Sequence, residues 1–291
     1  MSTTPATGSI SALGLPEGEA ARIAEVALTE DLAGGVDITT LATIAEDAVG
    51  VGELVARADG VVCGLAVARA VFDRVGGLEF ETRVADSQVV RRGDVIATVS
   101  GPVRAILTGE RSALNVLCML SGIATLTARW VAAVEGTGAV IRDTRKTAPG
   151  LRVAQKYAVR CGGGQNHRMG LSDQALIKDN HVLSAGGVVP ALEAVRAMAP
   201  DVVCEVECTL PEQVEQACAA GAVLILLDNM TLDATRASVS IARRYGTRTE
   251  SSGGLRLENA REVAETGVDY LAVGALTHSA PVLDIALDLR R

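Results

Sequence analysis

The chain has 291 residues, a formal net charge of -8 and an isoelectric point near 5.0. This length suffices for one large α/β domain or for two domains, and 48% hydrophobic with 21% charged residues is typical of a globular protein in water. The acidic balance argues against nucleic acid as a partner, because phosphates need a broad basic surface. The aromatic content of 2% also leaves few platforms on which single-stranded bases could stack.

The N-terminal residues 1–14, MSTTPATGSISALG, contain no basic residue and no long apolar run, so they predict a short flexible tail and not a secretory signal. The most apolar stretch, residues 114–126, is interrupted by Asn115, Ser121 and Gly122, so no membrane span is predicted. The six cysteines show no paired C-x-x-C spacing. They therefore predict reduced, mostly buried thiols in a cytoplasmic protein.

Residues 1–114 are interpreted as an N-terminal α+β domain that resembles a sandwich. Its expected elements are helices over 16–30 and 65–76 and strand-rich stretches over 50–64 and 79–106. A long helix should follow from Thr108 to Val134, since apolar residues recur there at helical spacing. With Thr108 as its N-cap, Arg111 would lie in the first turn. The helix dipole disfavours a cation there, so Arg111 is either an ordinary surface residue or held by an anion.

Residues 115–280 alternate short apolar runs with helical segments, which predicts parallel strands covered by helices. The expected strands lie at 139–144, 175–182, 202–208, 222–229, 247–254 and 270–276. Six such units without a visible switch in strand order indicate a parallel α/β barrel, complete or incomplete, in preference to a doubly wound sheet. The tail 281–291 is too short to decide whether it packs back on the N-terminal domain.

Residues 141–181 form a cationic segment that holds all three lysines of the chain, two of its three histidines and five arginines. A solvated basic face is the ordinary explanation of such a run. Here the cations are interleaved with turn glycines and strand-like apolar residues, which favours a pocket for a small polyanion.

The later strands are expected to bring carboxylates and small residues to the same end of the barrel, because functional side chains gather at the carboxyl ends of the strands. Glu207 and Asp228 suit Mg²⁺ held partly through water and substrate oxygens. The last two strands end in turns that suit a phosphate monoester. The residues of these turns are Ser251, Ser252, Gly253 and Gly274.

Several motifs closely resemble those of the quinolinate phosphoribosyltransferase family. They are RDTRKTAPGLR, GGGQNHRMGLSD, LIKDNH, CEVEC, LILLDN, ESSGG and YLAVGALTHS, and they run from about Gly109 to Ser279. The N-terminal region fits the family less distinctively. The resemblance implies that quinolinate and 5-phosphoribosyl-1-pyrophosphate react, with Mg²⁺, to give nicotinate mononucleotide, pyrophosphate and CO₂ for NAD biosynthesis. It also implies a homodimer whose sites are completed across the interface.

The resemblance further implies a role for each site residue. The quinolinate carboxylates would be held by Arg145, His167, Arg168 and Lys178, with Arg111 supplied by the second subunit. The pyrophosphate would be bordered by Lys146 and Arg145, and the ribose hydroxyls and Mg²⁺ by Glu207 and Asp228. The 5-phosphate would lie near Ser251, Ser252, Gly253, Gly274 and His278, and His181 would support the pocket. Lys146, Glu207 and Asp228 are thus the expected catalytic residues.

Three alternatives stay open at this point. The acceptor could be another pyridine carboxylate, or the chain a divergent paralogue associated with metal transport. A Schiff-base aldolase could use Lys178, because a strand-end lysine in a barrel can form an imine. A non-catalytic module could bind a phosphorylated ligand without turning it over, although such a module does not need the carboxylates of Glu207 and Asp228.

Overall fold

The computed structural model of the chain describes residues 14–290. The flexible tail predicted for residues 1–14 therefore lies, up to residue 13, outside the described residues. The elements of the first half are α1 (Glu19–Leu32), α2 (Ile38–Thr43), β1 (Val49–Ala56), β2 (Gly60–Val61), α3 (Leu65–Val75), β3 (Glu79–Thr82), β4 (Val89–Val90), β5 (Val95–Pro102) and α4 (Val103–Ala133).

The second half alternates strands with helices, as its sequence predicts. Its elements are β6 (Val140–Arg142), α5 (Arg152–Cys161), β7 (Ala175–Ile177), α6 (Asp179–Ala185), α7 (Val188–Met198), β8 (Cys204–Cys208), α8 (Pro211–Ala219), β9 (Leu224–Asp228), α9 (Leu232–Tyr245), β10 (Arg248–Ser252), a 3₁₀ turn (Leu257–Asn259), α10 (Ala260–Ala264), β11 (Tyr270–Ala272), α11 (Ala275–His278) and β12 (Ile285–Arg290).

The N-terminal region contains an antiparallel sheet with the strand order β12-β1-β5-β3. The C-terminal tail thus returns to the N-terminal domain, since β12 pairs with β1 from Ala56–Ile285 to Val51–Arg290. Residues of β1 and β5 pack in a buried cluster that also contains Phe72 of α3. The last strand of the chain is therefore part of the first domain.

The C-terminal region contains a six-stranded parallel sheet with the order β6-β11-β10-β9-β8-β7. The first and last strands of this series, β6 and β11, are hydrogen-bonded neighbours, as they are in a closed barrel. The link that a closed barrel would also need, between β6 and β7, is replaced by a single parallel bridge from Arg142 to Gln165. The sheet is thus an α/β barrel open between β6 and β7.

Helix α4 runs through both halves of the molecule without a break, so it crosses the domain boundary proposed between residues 114 and 115. Leu117 packs in the cluster of the N-terminal domain, and Leu120, one turn later, packs in that of the barrel. By length and composition this 31-residue helix could cross a membrane, because one 18-residue window has a mean hydropathy of 1.5. The helix is longer than the apolar stretch 114–126 on which the sequence-based prediction rests. Half of the window is buried inside the protein, as in a core helix.

The start of α4 also corrects the sequence-based interpretation. The helix begins at Val103, directly after β5, and Pro102 occupies the N-cap position. Thr108 lies inside the helix, where its hydroxyl donates to the carbonyl oxygen of Arg104 at 2.8 Å. Arg111 therefore lies in the third turn, and the helix dipole gives no reason for an anion beside it.

Gly122 generates a prediction about how the tail is held. A Cβ atom there would lie 2.1 Å from the carbonyl oxygen of Pro281 and 2.8 Å from the Cα of Val282. An alanine in a helix is ordinarily about 1 kcal/mol more favourable than glycine. This clash with backbone reverses the sign, so we expect Gly122→Ala to lower the free energy of unfolding by about 2 kcal/mol or more. Urea denaturation measures the change.

Gly35→Ala is the matched control, because its Cβ would make an ordinary 3.5 Å contact with the carbonyl oxygen of Leu32. It should leave the free energy of unfolding within about 0.5 kcal/mol of wild type. A Gly122→Ala protein as stable as the control would show that residues 281–282 do not hold α4 in place.

Candidate active site

A cavity of about 310 Å³ lies at the carboxyl ends of the parallel strands. It is lined by many of the residues predicted for the site: Arg145, Lys146, His167, Arg168, Lys178, Glu207, Asp228 and Ser252. Thr144, Leu176, Leu226, Glu250 and Ala272 complete the lining. The volume is at the lower end of that of small-molecule sites. Side chains from six strands or their ends therefore meet at one place, as the barrel interpretation requires.

The remaining predicted residues lie around this cavity and do not line it. Ser251 is buried within β10, and Gly253 follows that strand with a φ of +84° and the Asn229 side chain packed against it. A Cβ on Gly274 would lie 3.1 Å from Cδ of Lys146 and 3.2 Å from Nε2 of His278. Gly274 thus allows Lys146 to pass close to the backbone that opens α11.

His181 and Arg111 have different settings. The Lys178 backbone N–H donates to Nδ1 of His181 at 2.9 Å, so His181 fixes the start of α6. This corrects the strand expected over 175–182, because β7 ends at Ile177 and the next residues begin a helix. Arg111 is exposed on α4 and does not line the cavity.

The cations of the cavity are not neutralised by equal numbers of protein carboxylates. Burial and the neighbouring Arg145 guanidinium lower the pKa of Arg168. Nε of Arg145 is buried and has no hydrogen-bond partner among residues 14–290. Lys178 is the exception, because its Nζ lies 2.5 Å from an oxygen of Glu207. The cavity is therefore poised to bind an anion.

Lys156 belongs to the cationic segment but does not line the cavity. It is fully buried in α5 and forms an ion pair with Asp143, which is also fully buried. Its Nζ also donates to the carbonyl oxygen of His167, whose own N–H donates to Asp143, both at 2.8 Å. Burial raises the pKa of Asp143 and lowers that of Lys156, and their mutual attraction opposes both shifts. The pair fixes the loop that carries His167.

His167 lies between two buried glutamates. Its Nε2 is 2.8 Å from Glu205 and 3.3 Å from Glu250. Burial alone would lower the pKa of His167, but the hydrogen bonds and charges of the glutamates raise it to about 9. The Arg168 N–H points at Nδ1 from 2.7 Å and opposes a second ring proton. Two full charges outweigh one N–H dipole, so the imidazolium is the favoured form at neutral pH.

Glu250 is the residue that the sequence-based interpretation missed. It lies in β10, inside the strand expected over 247–254, of which only the Ser/Gly end was assigned to the site, and it is fully buried while lining the cavity. Arg142 at the end of β6 donates to it at 2.7 Å and stacks 4.5 Å from the ring centroid of Tyr270. Successive side chains of a strand point to opposite faces, so Glu250 points away from the side of the strand that Thr249 and Ser251 face. This alternation is the signal in the sequence that could have identified Glu250 as a residue of the site.

Two groups of side chains at or beside the cavity could hold a cation. His167, Glu205 and Glu250 place three donor atoms within 4.8 Å of one another, but these atoms are buried and already neutralised by the imidazolium and by Arg142. Glu207 and Asp228 end adjacent strands and reach the cavity, where water and ligand oxygens can complete a coordination sphere. Mg²⁺ prefers such a set of oxygen ligands, so Glu207 and Asp228 fit it better.

The Lys156–Asp143 pair generates the second prediction. Lys156→Met removes the cation and leaves the Asp143 carboxylate buried without its partner, so we expect a loss of about 3–5 kcal/mol in the free energy of unfolding. Arg236→Met is the matched control, because its pair with Asp233 is exposed. It should change stability by less than about 1 kcal/mol. Equal losses in the two variants, measured by urea denaturation, would contradict the structural role of Lys156.

Comparison with known proteins identifies the family. The descriptions "Quinolinate phosphoribosyl transferase, N-terminal domain" and "C-terminal domain" match residues 37–121 and 123–288. The chain is 54% identical over 268 residues to nicotinate-nucleotide pyrophosphorylase (carboxylating) of Mycobacterium leprae (strain TN), which covers 90% of this chain and 94% of that protein. It is 38% identical over 288 residues to the chloroplastic protein of that name from Arabidopsis thaliana, at 92% and 82% coverage.

A solved structure agrees with these sequence matches. The nicotinate-nucleotide pyrophosphorylase of Francisella tularensis superposes with a TM-score of 0.91 at 38% identity, covering 95% of this chain and 98% of that one. The two family domains together match most of the chain, and the overall fold agrees with that of the solved relative. The chain belongs to the quinolinate phosphoribosyltransferase family.

Proposed function

We propose that the chain transfers the phosphoribosyl group of 5-phosphoribosyl-1-pyrophosphate to quinolinate and releases pyrophosphate and CO₂, giving nicotinate mononucleotide for NAD biosynthesis. The observation that carries the proposal is the division of charge in the cavity. Arg145, Lys146, Arg168 and Lys178 supply cations from the ends of the early strands and the loop between them, and Glu207 and Asp228 supply carboxylates from the middle strands. Family membership supports the same reaction.

The cations account for the binding of two polyanions. Arginine forks pair with planar carboxylates through two parallel hydrogen bonds, which suits Arg145 and Arg168 to the dicarboxylate acceptor. The buried, unpartnered Nε of Arg145 supports this assignment. Lys146 follows Arg145 and passes Gly274, so its ammonium group is suited to the pyrophosphate of the donor.

The carboxylates account for the chemistry at the ribose. Bond cleavage to pyrophosphate leaves positive charge on the ribosyl centre, and fixed carboxylates of Glu207 and Asp228 stabilise it. The pyridine nitrogen of quinolinate then bonds to that centre and becomes a pyridinium. The electrons of the bond to the 2-carboxylate can remain on the ring carbon beside this nitrogen, so CO₂ leaves and the carbon takes a proton. Mg²⁺ held by Glu207 and Asp228 would supply charge neutralisation for the departing pyrophosphate.

The alternative chemistries fit these contacts less well. Imine formation needs a neutral lysine in an apolar pocket, whereas Lys178 is half exposed and paired with Glu207. Nicotinate carries one carboxylate and would leave part of the cationic set unused. A binding module would not need Glu207 and Asp228 beside the cations.

We further propose a cytoplasmic homodimer in which Arg111 enters the site of the partner subunit. The exposed position of Arg111 on α4, away from the cavity of its own chain, supports this arrangement. The six cysteines, all within the described residues, are free thiols, which supports a reducing compartment.

The function is tested by a steady-state assay with quinolinate, 5-phosphoribosyl-1-pyrophosphate and Mg²⁺ that follows nicotinate mononucleotide and CO₂ together. We expect product only with both substrates, and none after a chelator has removed the metal. Glu207→Gln keeps the size of the side chain and removes its charge, so kcat/KM should fall by about 100-fold or more.

Glu193→Gln on the exposed face of α7 is the matched control and should retain wild-type turnover. Turnover with nicotinate in place of quinolinate would overturn the acceptor. Full activity of Glu207→Gln would overturn the role of the carboxylates in the cavity.

The shared site is tested by mixing two variants that are each inactive, Arg111→Ala and Lys178→Ala. A mixed dimer regains one intact site, so statistical exchange of subunits should restore about a quarter of wild-type activity. The control mixes Lys178→Ala with Glu207→Gln, which both damage the site of their own chain because these side chains pair within it. Recovery in the control, or none in the first mixture, would contradict the exchange of Arg111 between subunits.

A further inference from the structure

A cluster of two thiols and one carboxylate lies at the seam between the two domains. Cys63 precedes α3, Asp86 lies in the turn before β4, and Cys161 is the last residue of α5. Their sulfur atoms and a carboxylate oxygen all lie within 4.8 Å of one another. The thiols belong to different domains and are separated by nearly one hundred residues of chain. This cluster has no part in the phosphoribosyl transfer described above.

The cluster is held by hydrogen bonds from three helices. One oxygen of Asp86 accepts from the backbone N–H groups of Gly64 and Leu65 at the start of α3, at 3.1 and 3.2 Å. Its other oxygen accepts from the hydroxyl of Tyr157 in α5 at 2.7 Å. The hydroxyl of Ser121 in α4 accepts from the backbone N–H of Cys63 at 3.0 Å. The sulfur atoms are thus brought together by the fold.

The two thiols differ in chemical character. A hydrogen bond from Cys63 is the main cause that lowers the pKa of Cys161 to about 7, against the opposing effects of burial and of the Asp86 carboxylate. Burial raises the pKa of Cys63 well above its ordinary value. Both cysteines are buried, Cys63 fully and Cys161 with 6% of its surface exposed. A thiolate of lowered pKa beside a second thiol is the arrangement that reacts with a small oxidant and then forms a disulfide.

We propose that Cys63 and Cys161 are a redox modification site, at which hydrogen peroxide joins the two domains by a reversible disulfide. The Cys161 thiolate bonds to one peroxide oxygen as the O–O bond breaks, giving a sulfenic acid and a hydroxide that takes a proton to become water. The Cys63 sulfur then attacks the Cys161 sulfur, the S–O bond breaks, and the departing hydroxide leaves as water with the Cys63 proton. Two thiols are oxidised and one peroxide is reduced to two waters.

The geometry requires only a small rearrangement. The sulfur atoms lie within 4.8 Å of each other, and a disulfide bond is about 2.05 Å long, so rotations of the two side chains must bring them at most about 3 Å closer. The backbone at the end of α5 cannot take up this change, because a Cβ on Gly162 would lie 2.4 Å from the Ala124 carbonyl oxygen of α4. The new bond would therefore tie existing neighbours together without moving the helix.

The test treats the reduced, full-length wild-type chain with hydrogen peroxide and maps disulfides by mass spectrometry of a non-reducing digest. We expect a peptide that links Cys63 to Cys161. Because the bond closes a long loop of chain, the Tm should rise by about 4 °C or more, and dithiothreitol should reverse the rise. Cys63→Ser and Cys161→Ser should each abolish both effects, while Cys204→Ser, at a buried cysteine of β8, should keep them.

Four results would overturn the proposal. Peroxide could leave both thiols unmodified, or convert Cys161 to a sulfinic acid while Cys63 stays reduced. The linked peptide could instead join other cysteines, such as Cys208 and Cys218. Finally, the untreated protein could bind one equivalent of added Zn²⁺ that is lost in both the Cys63 and Cys161 variants, which would make the cluster a metal site.

Discussion

The buried ion pair between Lys156 and Asp143 is the contact on which the geometry of the cavity depends. It joins α5 to the end of β6, and both partners also bind the backbone of His167. The loop from α5 to β7, which carries His167, lies along the free edge of β6, where Gln165 forms a bridge with Arg142. This edge is the place where the barrel is open. Where the barrel lacks strand pairing between β6 and β7, the buried charge pair therefore fixes the position of this loop.

A second layer of charge lies beneath the cations of the cavity. Glu205 and Glu250 are fully buried, so their charges act on His167 through protein and not through water. In this low-dielectric setting they favour the imidazolium strongly, and Arg142 compensates Glu250 in turn. The two carboxylates thus maintain a cation at the cavity, and only Glu250 of the two lines it. Opposite charges in successive layers allow a net-acidic chain to present a cationic pocket.

The sequence was sufficient to predict the alternation of strands and helices, and with it the strand ends that carry Glu207 and Asp228, because buried parallel strands leave clear apolar runs. It could not show that Lys156 is buried. A lysine in a basic segment can bind a ligand or pair with a buried aspartate, and the sequence pattern is the same in both cases. Glu250 was missed because it lies within a strand of polar residues. The start of α4 was missed because β5 enters the helix without a turn.

The contact between Lys178 and Glu207 sets a condition that any ligand must meet. The ammonium and carboxylate groups lie 2.5 Å apart, and Lys178 is about half exposed, so the pair contributes only about 0–1 kcal/mol to stability. Such a pair keeps both side chains directed at the cavity while leaving them easy to separate. In the proposed reaction, a substrate carboxylate that attracts Lys178 would release Glu207, which could then act at a positive ribosyl centre. The proposed roles therefore couple the affinity for one substrate to the charge available to the other through a single weak ion pair.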